Sequence, residues 1–374
     1  MSQDFQTTDV LIIGGGPAGT ATALALLAYS DLRVAVVERT AYDSVRIGEH
    51  VAPSLLPLLD YLNIKERFLE EQPLPVYSTI SAWGSARLNT RDSIASPHGE
   101  SYQLDRERFD QLLAEQVDQN GGTIYPRTKY MGAERLEGDG WRVWLNHPTE
   151  HEFSIKTRFL VDATGRQSHV SRKLGADLHQ LDNLVSVGTF LHFKDDRQLP
   201  KNILLETVPE GWWYSASLPG ERLCVTLFTD ADLLSQKQAQ SIDRWGTLLS
   251  QTTHTRQRVN GSVASEKPWV KKAHSHVATS PVGDGWLAVG DAASAYDPMS
   301  SMGIGFAISS ACHAARALIE HFRGHSAYLE SYQNGIHDNF QTYMTQRHHY
   351  YGLETRWPDE PFWSRRHQPV DTSL

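Results

Sequence analysis

Cysteine is nearly absent, with Cys224 and Cys312 the only two in 374 residues. Two separated thiols make neither a disulfide framework nor a metal-ligand set, and they fit a reducing compartment. Long apolar runs are missing too. The longest, around residues 21–29, falls far short of a bilayer span. Positive charge is scarce: 35 Lys and Arg against 44 Asp and Glu leave a net charge of -9. That balance excludes a phosphate-tracking surface, so no nucleic acid partner is expected. There is no repeat, no low-complexity tract and no Pro/Gly/Ser linker. The polar and acidic first residues lead straight into an apolar segment, without a basic stretch or a cleavage signal. The expectation is a cytoplasmic protein of one or two domains.

What is present begins with a buried strand over residues 10–13, closed by glycines. An alanine- and leucine-rich helix over 17–29 follows, with proline at its first turn, where a missing N–H does no harm. A second buried strand at 34–37 completes a βαβ unit. Its turn reads Gly14-x-Gly16-x-x-Gly19, with Ala18 inside it. Gly14 permits the tight turn, Gly16 lets the backbone approach a pyrophosphate, and Gly19 lets helix and strand pack closely. The helix N-terminus then presents free N–H groups to the phosphates. Glu38, followed by Arg39, ends the second strand where an acid grips ribose hydroxyls.

Farther along, helical spacing covers 104–117, and a hairpin pattern covers 141–145 and 153–155. Residues 159–163 read as a separate core strand ending in Asp162-Ala163-Thr164-Gly165-Arg166. Residues 183–228 alternate like strands, and 241–249 like a helix. A strand at 286–289 runs into Gly290-Asp291-Ala292-Ala293, then Asp297-Pro298 and Gly303-Ile304-Gly305 at the start of a long helix to 322. Asp291 can accept a hydrogen bond from a polyol hydroxyl. The glycines near 303 open a helix whose amides can stabilise negative charge. The aromatic and basic residues after 334 favour a packed tail.

These three separated motifs, in this order, resemble the flavoprotein monooxygenases of the para-hydroxybenzoate hydroxylase type and their flavin-dependent halogenase cousins. The resemblance covers essentially the whole chain. It implies an α/β fold: a glutathione-reductase-type Rossmann FAD-binding domain with an inserted β-rich substrate domain and a C-terminal helical tail. The FAD-binding domain takes residues 1–75, 100–180 and 275–330. The substrate domain takes 76–99 and 181–274, and the tail 331–374. The first motif then holds the ADP half of FAD, the middle one touches FAD and the nicotinamide region, and the last holds the riboflavin half. Arg46 and Arg106 match positions that support the cofactor, and NAD(P)H enters as a transient reductant.

The loop Gly48-Glu49-His50-Val51-Ala52-Pro53-Ser54 and the turn from Asp297 to Gly303 resemble the halogenase branch. Halogenases, however, carry a lysine between flavin and substrate, and residues 73–91 contain none. The halogenase tryptophan motif is also altered, with Tyr214 after Trp212 and Trp213. Halogenation is disfavoured and hydroxylation is the chemistry that remains. In size and pattern the chain is similar to the maturation flavoproteins of tryptophylquinone amine oxidases. That implies a quinoprotein oxidase precursor as protein substrate, with its tryptophan hydroxylated. Two alternatives stay open: a monooxygenase of a small aromatic molecule, and a flavin-containing chaperone. Trp212, Trp213 and Tyr214 either line the substrate cavity or are plain sheet core. Glu49 and His50 are candidates for moving a proton or for loop hydrogen bonding. No metal set is seen; the adjacent His348 and His349 diverge.

Overall fold

The computed structural model describes residues 6–92, 99–194, 198–237, 241–264 and 267–368. The first five residues, read above as a lead-in without a leader, and the last six of the tail lie outside them. The strand Gln6–Ile13 forms the axis of the first large sheet. It pairs in parallel with Val34–Val37 on one side and with His151–Asp162 on the other. Thr123–Tyr125 and Trp286–Ala288 extend the parallel run outward. All four residues of Val34–Val37 are buried, as a strand covered on both faces requires.

The sequence reading placed a hairpin over 141–155 and a distinct strand at 159–163. A single twelve-residue strand, His151–Asp162, does both jobs. Residues His151 to Thr157 pair antiparallel with Trp141–His147, and Ile155 to Asp162 pair in parallel with Gln6–Ile13. Arg158, exposed in the middle, masks the continuity in the pattern.

A second large sheet is built from Ser78–Ala82, Asn89–Asp92 and the strands between Leu184 and Lys272. It is antiparallel apart from one parallel pair, Asn202–Val208 with Ser78–Ala82. One face carries a core of Val187, Leu191, Trp213, Val225, Leu227, Trp245 and Leu248. Trp212 and Phe228, on the other face, pack against Tyr351, Phe362 and Trp363 of the tail. That tail is helical, with Ala327–Gly352 followed by Pro361–His367. Among the described residues no helix is long and apolar enough to cross a membrane.

The two long helices of the first domain, Pro17–Tyr29 and Gly303–Phe322, meet over Gly290. A β-carbon on Gly290 would stand 2.6 Å from the Ala18 methyl and 3.4 Å from that of Ala307. The crossing of glycine loop, helix and central strands is tighter still. A β-carbon on Gly19 would lie 1.9 Å from the Gly14 carbonyl oxygen, and one on Gly14 would lie 2.2 Å from that of Ala163. Because these neighbours are backbone, neither can yield without moving a strand. We therefore expect Gly19→Ala to lower unfolding free energy by about 1–3 kcal/mol in urea titrations. Gly303→Ala, whose added methyl meets nothing within 4 Å, should stay within about 0.5 kcal/mol.

Candidate functional site

The C-terminal ends of the central strands deliver two helix N-termini to one place. Gly16 caps the helix Pro17–Tyr29 and Met302 caps Gly303–Phe322. Neither helix has a side-chain cap or an acidic residue in its first turn, so the orphan amides keep their partial positive charge for another partner. Gly16 has only the Arg46 guanidinium nearby, at 3.8 Å from a β-carbon position, while Gly303 and Gly305 face open space. Ile304 is buried behind them, and Pro298 lies in the short turn that precedes them.

Arg46 and Arg106 are not solvated charges. Both converge on Asp110, whose side chain is fully buried: Arg46 Nη1 donates at 2.6 Å, and Arg106 Nε and Nη2 each donate at 3.2 Å. Arg106 Nη1 also donates to the carbonyls of Ile47 and Gly48, at 2.5 and 3.0 Å. Its ion pair thus fixes the loop that carries Glu49. Asp110 escaped the sequence reading because it occupies an ordinary position on an amphipathic helix, Arg106–Gln119. The signal available was Arg106 four residues before it, on the same helix face.

Glu38 accepts from the Gly15 amide at 2.9 Å with one oxygen and from the Thr40 amide and hydroxyl with the other. Its carboxylate therefore braces the glycine loop from the end of the second strand, and Arg39 beside it is exposed. Tyr42, also missed from sequence, has a buried hydroxyl with no partner, and that oxygen is 2.2 Å from where a Gly15 β-carbon would stand. A free donor beside the glycine loop suits a polar ligand atom.

Asp162 spends both oxygens on its own loop, accepting from Thr164 Oγ1 and the amides of Thr164, Val170 and Ser171. Asp291 pairs with Arg166 at 2.9 Å and stays part exposed. Arg166 Nη2 also donates to the Tyr296 carbonyl, at 2.6 Å. The middle and distal motifs are thereby joined by one arginine.

Between these loops lies one face of the second sheet. Strand alternation decides which aromatics it shows, since successive side chains point to opposite faces. Of Trp212, Trp213 and Tyr214, read above as cavity residues or plain sheet core, Trp213 belongs to the core. Trp213 faces away, edge-on to Trp245 at 5.3 Å, in the core behind the sheet. Trp212 is stacked on Phe228 at 4.0 Å. Tyr214 shares its face and hydrogen-bonds Gln103 Nε2 at 3.0 Å. The segment 73–91, where no lysine occurs, supplies the edge of this sheet.

Gln103 pairs in register with His50, and so brings Tyr214 to the Glu49 loop. Glu49 is 5% exposed and its Oε1 has no hydrogen-bond partner among the described residues. Burial pushes its carboxyl up to about 7, against the opposing pull of Arg106 and Arg222. Burial pushes His50 down to about 4, so its imidazole is neutral at physiological pH, with Nδ1 unpaired. Burial, with Glu49 nearby, also raises the Tyr214 phenol and the Cys224 thiol well above their ordinary values. Both stay protonated. Glu49 alone in this group can gain or lose a proton near neutrality. Cys224 and Cys312 are both buried and free.

Residues 7–347 match the family described as FAD binding domain. The chain belongs to that family. It is 40% identical to LodB of Marinomonas mediterranea, named as an FAD-dependent oxidoreductase, over 97% of this chain and 98% of the relative. Its fold is that of the myxobacterial chondrochloren halogenase CndH, with a TM-score of 0.88, 20% identity and coverage of 97% of this chain and 86% of that one. It is also that of the peptidyl tryptophan dihydroxylase QhpG, with a TM-score of 0.79, 24% identity and coverage of 98% and 80%. The residues fit FAD. The open amides of the glycine loop and Arg46 suit the pyrophosphate, Tyr42 offers a hydroxyl, and Gly303 to Gly305 leave space against a positive helix end.

The Glu49 carboxyl yields a signed prediction. The folded state holds a proton that the unfolded chain has already released between pH 4.5 and about 7. Stability must therefore fall as pH rises through that window. Glu49→Gln should remove the slope and gain on the order of 3 kcal/mol over wild type above pH 8, with the two converging near pH 4.5. Urea titrations of both proteins across that range read it directly.

Proposed function

We propose that this protein is an FAD-dependent monooxygenase that hydroxylates the aromatic ring of a tryptophan in a partner protein, a precursor of a tryptophylquinone amine oxidase. The observation that carries the reading is the buried polar cluster at the Gly48-Glu49 loop. Glu49, Gln103 and Tyr214 meet there, and no lysine stands in the segment where halogenases present theirs. Similarity over nearly the full length to LodB, and a fold shared with a peptidyl tryptophan dihydroxylase, support the same reading.

Bound FAD would supply the redox chemistry of a monooxygenation, with NAD(P)H as the two-electron donor, dioxygen as the oxidant and water as the second product. The chain's own residues do the rest. Arg46 and the glycine-loop amides would hold the phosphates. The first amides of Gly303–Phe322, at an uncapped and positive helix end, would hold the flavin ring and favour negative charge on it. Tyr214 and Gln103 present neutral donors and acceptors that orient an indole without introducing charge. Glu49, protonated part of the time near neutral pH, can give a proton at its unpartnered Oε1 and recover it. Burial of the cluster excludes water from the transfer.

The test is co-expression with a candidate precursor, followed by mass spectrometry of its tryptophan-containing peptides. A gain of oxygen on tryptophan that requires this protein, reduced nicotinamide and oxygen, but no halide, is the expected result. Coupled NAD(P)H oxidation on a free aromatic compound with no protein present, or a halide-dependent product, overturns it.

A further inference from the structure

The turn that leads into the helix Gly303–Phe322 is held partly by its own short-range hydrogen bonds and partly by the tail. Asp297 opens it, and its carboxylate caps the Met299 amide at 3.0 Å through Oδ1. Ser300 closes back on the Asp297 carbonyl through its amide and hydroxyl, at 3.0 and 2.7 Å. Everything else that grips Asp297 comes from the tail helix Ala327–Gly352. Tyr351 donates its hydroxyl to Oδ2 at 2.7 Å, and Tyr343 accepts the Asp297 amide at 2.9 Å. Arg347 lies between them, with Nε 3.8 Å from Oδ2. Residues 343, 347 and 351 are spaced by four, so they form one stripe on the helix.

The stripe is itself pinned. Arg347 pairs with Asp182 at 2.8 Å and stands over the Tyr351 ring at 5.0 Å. Arg366, buried and bidentate on Asp230 at 2.7 and 3.2 Å, covers the same ring at 5.2 Å. The Tyr351 hydroxyl also accepts from the Trp212 indole at 3.2 Å. One oxygen therefore joins the substrate sheet, the tail and the flavin turn. Asp297 is fully buried, so losing a donor leaves a lone pair that water cannot reach.

We infer that Tyr351, with Tyr343, is a positioning residue for the flavin: the tail stripe sets the Asp297–Met299 turn, and through it the start of the helix that faces the isoalloxazine. This rests on the FAD reading above. The side chains themselves touch no cofactor atom; they act through Asp297.

Tyr351→Phe removes only the hydroxyl and keeps the ring under both guanidinium groups. We expect it to weaken FAD binding at least about tenfold, the size of a lost hydrogen bond to a charged group. It should also shift the visible absorption of the bound flavin. Tyr343→Phe should move both readouts in the same direction, and it serves alone should Tyr351→Phe not fold. Trp363→Phe is the control. Trp363 belongs to the same aromatic cluster and donates to the Val208 carbonyl at 2.8 Å. Its variant should lower the melting temperature and leave the flavin spectrum unchanged. Unaltered flavin affinity and spectrum in both tyrosine variants overturn the inference, as does an equal shift in Trp363→Phe. Wild-type protein that takes up no FAD would instead overturn the reading on which it rests.

Discussion

Three stretches of backbone meet where no β-carbon fits. Gly14 lies against the Ala163 carbonyl and Gly19 against the Gly14 carbonyl, and the whole site is hung on that contact. It brings the first strand, the first helix and the end of His151–Asp162 together at the same level. The orphan amides of the glycine loop and the middle motif then open on one side of the sheet. A single methyl group there would push a strand, not a side chain. This is why the constraint reaches as far as Gly290, where the second long helix crosses.

Charge is organised around the same point. Buried Asp110 holds Arg46 toward the glycine loop and Arg106 toward the Glu49 loop. One carboxylate thereby links the glycine loop to the Glu49 loop. An acid with two guanidinium groups is affordable in a buried place because each partner satisfies the others. Glu49 has no such compensation on Oε1, and its raised pKa is the consequence.

Much of the architecture was legible from residue pattern. The helices 17–29 and 303–322 and the strand 34–37 coincide with Pro17–Tyr29, Gly303–Phe322 and Val34–Val37. These elements have strong local signals: continuous apolar runs, a proline at a first turn, glycines at the ends. Reading failed where one element serves two neighbours, as in His151–Asp162, since a local window sees the change of partner as a break. At Trp212, Trp213 and Tyr214 it left cavity and core open, because a cluster of aromatics does not show which rings the pleat sends to which face.

The sequence by itself determined the FAD-binding scaffold, because close backbone approach and helix-end charge demand particular residues at particular spacings. It also established that residues 73–91 contain no lysine. Only the tertiary structure decided which polar groups act. Asp110, Gln103, Tyr42 and Tyr351 carry no local signature. Each acquires its role from a partner distant in the chain: Arg46, Tyr214, the Gly15 turn and Asp297. Backbone geometry is written in short motifs, whereas burial and pairing of polar atoms exist only once remote segments have been packed together.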